Sequence, residues 1–425
     1  MTISITGELE TKLIIQIAEG LQAITPQQSY VSALDFQWAN TLVTNLTDDA
    51  NLKIDRYLGD DGIPKFIYSC IHEKYVAGRN RIKITKDIPL ISQLPDTTAI
   101  SLARHIVHSL KMLPLRYRLT MALPAQFSEP ILDKVDDRFL FPSNICIARP
   151  TALPYTLTVH ANDPLIDQSL FTDLFDDDDG ETNRDLDSQR YYFSMPMNGF
   201  AVRSSSTPLG RAFEDNIRAF YGAGLATKLF SYGYTKSAKA LPYIMIHSEP
   251  TNELLATEKI EDDLQKNEFR FGTVDFMKRQ SPGDSFAFSK LLNTISTIFN
   301  DDTDCRKLHT ACIWFYRATI NRRPLDSLLE STIAIEVMLG DRKVSEGIGL
   351  SNLLGNRCAF LLGTSSGARH QIMNNFQTIY KLRSNIVHEG RHSLQKGDRN
   401  IVNLALRMCA SIIARELVIR AKPTS

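Results

Sequence analysis

In the stretch QTIYKLRSNIVHEG, residues 377–390, an arginine and a histidine stand five positions apart, Arg383 and His388. A guanidinium is a planar, permanently charged fork of donors suited to an oxyanion, and an imidazole exchanges a proton near neutrality. The pair therefore suits anion binding coupled to proton transfer. Its setting is unusual: Met373, Phe376, Ile379, Tyr380, Ile386 and Val387 form an apolar stripe at helical spacing, and Arg383 falls inside that stripe. Five residues at 100° each put Arg383 and His388 about 140° apart around a regular helix. Either the helix unwinds before Gly390, or two copies of it meet and each side chain acts across the interface.

Other candidates carry less. His105 and His108 in SLARHIVHSL share a helix face as metal ligands would, but no third ligand stands near them. The acidic run DLFDDDDGETNRDLD, 173–187, fails as a calcium loop, because placing Gly180 at the sixth position puts Phe175 at the first ligand position. It reads as a solvated acidic loop. The GAG at 222–224 lacks the strand and the full glycine pattern of a dinucleotide site. No metal site and no cofactor is expected.

Two further charges aim inward in the C-terminal part. Glu336 lies in the stripe Leu325, Leu329, Thr332, Leu339, and Arg357 in the stripe Leu350, Leu354, Leu361. A buried charge without a partner costs several kcal/mol or more, so the spacing predicts an internal Glu336–Arg357 pair.

The elements that must position these groups follow from pattern. A chain of 425 residues suits two domains. KRQSPGD, 278–284, is the linker candidate, because Pro and Gly interrupt a polar run. Residues 284–425 read as an all-α domain, with helices over about 284–299, 301–321, 325–339, 349–362, 368–388 and 398–421. Asp284 and Asp326 stand as caps or first-turn acids, and Gly340, Gly363 and Gly390 as helix stops. Residues 1–277 read as an α+β domain. Helices are expected near 8–24, 97–112 and 208–229, the last opened by Thr207-Pro208. β-rich runs are KFIYSCI, RIKITKD, RYRLTMALP, NICIARP, YTLTVHA, RYYFSMPM and YIMIHSE.

Composition is that of a globular protein, 43% apolar and 23% charged. No run approaches the roughly 18 uncharged apolar residues of a membrane span, and acids occupy the N-terminus where a secretory signal would be basic. A cytoplasmic protein with no membrane partner is expected. The six cysteines are scattered without a C-x-x-C pair, which predicts reduced, buried thiols. Net charge is zero, yet from Ser281 onward 19 Lys/Arg face 12 Asp/Glu, a balance of +7 against −7 for the rest. The basic part is the one suited to a polyanion, although two domains attracting one another would give the same asymmetry.

The segment YKLRSNIVHEG resembles the signature of the HEPN (higher eukaryotes and prokaryotes nucleotide-binding) superfamily, an Arg and a His separated by four to six residues. STIAIEVML, NRCAFLLG and IYKLRSNIVHEG, in that order over about 325–421, resemble more narrowly the Apea-like HEPN group. The resemblance implies a helical bundle that forms a homodimer and cleaves RNA without a metal, in prokaryotic anti-phage or toxin-like defence. It places Arg383 and His388 at the two motif positions. Many nucleolytic members have Asn, Asp or His directly after the arginine; here Ser384 stands there and Asn385 follows, which makes Asn385 the third catalytic candidate. The residue chemistry is compatible: RNA brings its own 2′-hydroxyl nucleophile, leaving a proton to move and phosphate charge to stabilise. Arg391, Lys396 and Arg399 are RNA-backbone candidates or solvated loop charges. Residues 1–277 would then sense a trigger or select substrate. Some HEPN domains only bind RNA or protein and scaffold a dimer, which is the alternative reading.

Overall fold

The computed structural model describes residues 3–5, 7–59, 62–76, 82–123, 137–153, 190–201, 207–232, 243–249, 251–265, 269–271, 285–341 and 349–421. The linker candidate 278–284, the run YTLTVHA up to its last residue, and the acidic run 173–187 lie outside the described residues.

The N-terminal part is helical: α1 (Gly7–Ala23), a 3₁₀ segment (Ala33–Asn45), α2 (Asp48–Leu58), α3 (Gly62–Ile71) and α4 (Ala99–Lys111). α3 corrects the strand expected at KFIYSCI. Ile63, Phe66, Ile67, Cys70 and Ile71 are all buried, and that spacing of three, one, three and one is a helical face, not an alternation. RIKITKD is likewise no strand among its described residues; Ile82 N–H donates to Tyr75 O and a turn follows. α4 begins with a reciprocal Thr98–Ser101 capping box, and Lys111 at its end pairs with Glu10 of α1 at 2.7 Å.

A six-stranded antiparallel sheet occupies the middle of the chain. Its strands are β1 (Leu115–Ala122), β2 (Arg138–Leu140), β3 (Cys146–Ala148), β4 (Tyr192–Gly199), β6 (Tyr243–Ser248) and β7 (Leu254–Lys259), in the order β2-β3-β4-β1-β6-β7. The longest ladder pairs Leu115 with Gly199 through Ala122 with Tyr192. A separate two-stranded ribbon joins β5 (Phe230–Tyr232) to β8 (Phe269–Phe271).

Between β4 and β5 runs α5 (Pro208–Ala226), whose start matches the sequence expectation. Thr207 Oγ accepts Gly210 N–H at 3.1 Å, and Pro208 takes the first helical position. The buried carboxylate of Glu258, on the edge strand β7, accepts Thr207 Oγ–H at 2.6 Å and Thr207 N–H at 3.3 Å. Arg218 of α5 is 2% exposed and is held by Asp263, Glu261, Asp215 and Glu214. Gly222 lets α5 approach its neighbour: a Cβ there would lie 2.0 Å from Cys312 O.

The C-terminal helices are α6 (Ser285–Ile295), α7 (Thr303–Ile320), α8 (Pro324–Leu339), α9 (Leu350–Leu362), α10 (Ser366–His388) and α11 (Asp398–Arg420), each over the expected span. Asp302 caps α7, Asp326 is a first-turn acid of α8, and Gly340 and Gly363 close α8 and α9. The chain thus has an α+β region followed by helices. One hydrophobic core holds the N-terminal helices together with Phe200. A second runs from Ile147 and Phe193 of the sheet through Phe220 of α5 into Ile335, Ile379 and Ile412 of the C-terminal helices. All six cysteines are free and buried. No described helix is long and apolar enough to cross a membrane.

Candidate functional site

α10 carries both motif residues, and its ends decide their geometry. Ser365 caps it by accepting Ala368 N–H at 3.2 Å. At the other end Glu389 N–H donates to Asn385 O at 3.1 Å, so the helix keeps its i to i−4 bonding past His388, and Gly390 then takes the left-handed region at φ +65°. The helix does not unwind between the two residues. Arg383 and His388 of one chain therefore point about 140° apart, with a rise of about 7.5 Å between them.

Arg383 sits where the apolar stripe meets α8. Its Nη2 lies 3.6 Å from Glu336 Oε1, and both side chains are 21% exposed. Its Cζ is 5.7 Å from the centre of the Tyr380 ring, which in turn stacks on Phe376 at 5.7 Å and 27°. Phe376, Tyr380 and Arg383 thus form a column along one helix face, rooted in the core by the fully buried Phe376. At 3.6 Å the Glu336 contact is an ion pair without a directed hydrogen bond, and Arg383 Nε–H has no acceptor. Burial pushes the Glu336 carboxyl above its usual range, with Arg383 pulling the other way. Burial also raises the Tyr380 phenol, reinforced by Glu336 and opposed by Arg383.

The predicted Glu336–Arg357 pair is absent. Arg357 Nη1 donates instead to Leu339 O at 2.5 Å, at the C-terminal end of α8, and its Nη2 lies 3.6 Å from Asp341. The end of α8 offers a carbonyl without a helical partner, a good acceptor for a guanidinium on α9. Glu336, three residues earlier, faces α10.

The remaining site residues are placed as follows. His388 is exposed, and Asn385 is half-buried on the same last turns of α10. Arg391 is engaged within its own loop, with Nε donating to Ser393 O at 3.0 Å and Nη2 pairing with Asp398 at 2.5 Å. Asp398 also accepts Gln395 N–H at 2.6 Å, so one carboxylate closes the turn that starts α11. Lys396 and Arg399 are exposed beside it. One chain thus assembles Arg383, Glu336 and Tyr380, and leaves His388 outside that group. His105 and His108 are exposed on α4. Among the described residues no group of three or more His, Cys, Asp or Glu is placed to hold a metal.

Sequence reasoning overlooked Tyr380 as a partner of Arg383, although it stands three residues earlier in the same stripe. A second overlooked feature is charge: the helical hairpin 350–388 contains Arg357, Arg369, Lys381 and Arg383 and no Asp or Glu at all. No family model, curated protein or solved structure matches this chain.

Proposed function

We propose that this chain is a metal-independent endoribonuclease whose C-terminal helices form a HEPN-type homodimer, with Arg383, Asn385 and His388 as its reactive groups. The observation that carries the reading is the unbroken helix through His388. Because a single α10 aims its arginine and its histidine to different sides, a common phosphodiester needs a second copy of the helix to bring an imidazole to a guanidinium. Arg383 is suited to the phosphate oxygens: it is partly withdrawn from water, which strengthens its field, and its Nε–H has no acceptor. His388 is exposed and so reachable by a second copy. The hairpin itself carries no Asp or Glu, and Glu336 of α8 is the carboxylate that a phosphate would displace from Arg383.

In the proposed reaction the ribose 2′-oxygen attacks the adjacent phosphorus and the bond to the 5′-oxygen breaks, leaving a 2′,3′-cyclic phosphate and a 5′-hydroxyl. His388 moves the proton between these oxygens and Arg383 neutralises the phosphorane. The Asn385 amide orients the phosphate or the imidazole. The N-terminal α+β region selects RNA or responds to a trigger in a defence setting.

The Glu336–Arg383 ion pair favours a second reading, in which Arg383 anchors a non-catalytic RNA- or protein-binding dimer. One experiment separates the two. Purified protein is incubated with RNA in excess chelator, alongside His388→Ala and a substrate with deoxyribose at the cut. The nuclease reading expects cleavage with a cyclic phosphate end, lost on the deoxyribose substrate and reduced at least a hundredfold in His388→Ala, a size typical of a lost general acid or base. Equal cleavage by wild type and variant removes it.

A further inference from the structure

On either side of the turn between α9 and α10, an exposed aromatic ring and a guanidinium lie one over the other. Phe360, near the end of α9, is 69% exposed and so presents its ring to solvent. The Arg369 guanidinium lies 4.7 Å from its ring centre. Arg369 is fixed in that pose, since its Nε donates to Gly363 O at 3.2 Å. Its stem crosses Gly363 so closely that a Cβ there would lie 2.5 Å from Arg369 Cγ, which only glycine permits. The guanidinium is therefore held over the ring by a hydrogen bond and by its close passage across a glycine.

The surroundings indicate what such a surface takes. The hairpin has four Lys/Arg and no Asp or Glu between residues 350 and 388, and although Arg357 and Arg383 meet Asp341 and Glu336 from outside it, Arg369 has no carboxylate partner among the described residues. On the same two helices Asn356, one turn before Phe360, and His370, next to Arg369 in the chain, are exposed. An anionic ligand with planar rings suits this pair: a phosphate meets the Arg369 charge and a ring stacks on the exposed phenyl. An acidic peptide would answer the charge but not the flat stack. A duplex would answer the charge but keeps its base faces covered.

We propose that Phe360 and Arg369 form a stacking platform for an unpaired base of a single-stranded nucleic acid. The proposal deepens the ribonuclease reading and rests on it for the ligand's biological identity. Arg369 and Arg383 share α10, fourteen residues and about 21 Å apart, so the platform holds a strand several nucleotides away from the reacting phosphate. It is a positioning element and makes RNA with an unpaired flank the preferred substrate.

The test uses the full chain and a single-stranded DNA 12-mer containing 2-aminopurine, which lacks the 2′-hydroxyl and so reads binding without cleavage. Wild type is expected to quench the probe and bind it at about 50 mM salt, with a blunt duplex of the same sequence binding more weakly. Phe360→Leu keeps the apolar bulk and removes the π face; it is expected to abolish quenching and weaken binding at least about fivefold, with Phe360→Tyr restoring both. Melting of each variant is followed by circular dichroism, and sedimentation gives its oligomeric state. Unchanged binding and quenching in Phe360→Leu overturns the platform, as does a shift of Phe360→Leu from dimer to monomer, which would make this face a contact between copies. Absence of binding by wild type overturns it too. Cleavage of RNA in chelator is scored separately: a working platform without cleavage removes the nuclease and leaves the platform, and cleavage with a silent platform does the reverse.

Discussion

Replacing Glu336 by glutamine should leave the fold as stable as before, or slightly more so, although it deletes an ion pair. At 3.6 Å the gross attraction between Glu336 and Arg383 is about 4 to 5 kcal/mol for an effective dielectric constant of about 20. Withdrawing two charges from water costs several kcal/mol for each, so the two effects nearly cancel. The carboxyl shows which one prevails. Burial raises it above the usual range even with Arg383 opposing, so the ionised form is less favoured in the folded chain than in water. A carboxyl raised on folding contributes stability that is present below its unfolded pKa and is lost as pH rises through its folded pKa. Because the fold disfavours the ionised form, neutral glutamine should change stability at pH 7 by about 0 to +1 kcal/mol. Arg383→Met is the opposite case: it strands a carboxylate in a partly buried site and should cost about 1 to 3 kcal/mol. The double variant should recover most of that loss. Urea unfolding at pH 7 of the four proteins measures the cycle directly. A loss of about 2 kcal/mol or more in Glu336→Gln alone would make the pair a structural clamp instead.

Two further outcomes follow from the packing around α5. Burial pushes the Glu258 carboxyl up to about 7, against the lowering effect of its Thr207 hydrogen bonds and of Lys65 and with the raising effect of Glu214. Its stabilising contribution is present below about pH 4.5 and lost as pH rises through 7, so Glu258→Gln should gain about 3 kcal/mol over wild type at pH 8 and match it near pH 4, measured by denaturant titration at both values. Gly222→Ala should lower stability by about 2 kcal/mol or more, because the added methyl would meet the Cys312 carbonyl oxygen of α7, a backbone atom that moves only with its helix; thermal melting checks it, and an unchanged melting temperature would show that α5 and α7 separate freely.

The C-terminal helices were legible because each combines a long 3.6-residue period with a stop or a cap. Leu350 to Leu362, for example, ends at Gly363, and the stretch from Ser366 to His388 begins after the capping Ser365. α3 was misread because its β-branched and aromatic residues mimic a short buried strand, and the buried pairs 66–67 and 70–71 reveal a helix only when Ile63 is included in the window. Within the site, the inward charges were visible one by one. Their pairing was not, since spacing within a helix says which face a residue occupies and nothing about which neighbour lies across it. Arg357 lies near the end of α8 and takes the carbonyl of Leu339, while Glu336 meets Arg383 of α10. The burial of Glu258 against the start of α5 was hidden for the same reason, because strand β7 and Thr207 are about fifty residues apart in the chain.

Mixing two inactive variants shows whether a guanidinium from one copy and an imidazole from another act on one phosphate. Arg383→Ala and His388→Ala, each without cleavage alone, are unfolded and refolded together so that dimers form at random. Half of the dimers are then mixed, and each mixed dimer holds one complete pair of its two, so RNA cleavage in chelator should return to about one quarter of the wild-type rate. A mixture as inactive as its components, or full activity in either variant by itself, would mean that the two side chains do not act together across a dimer.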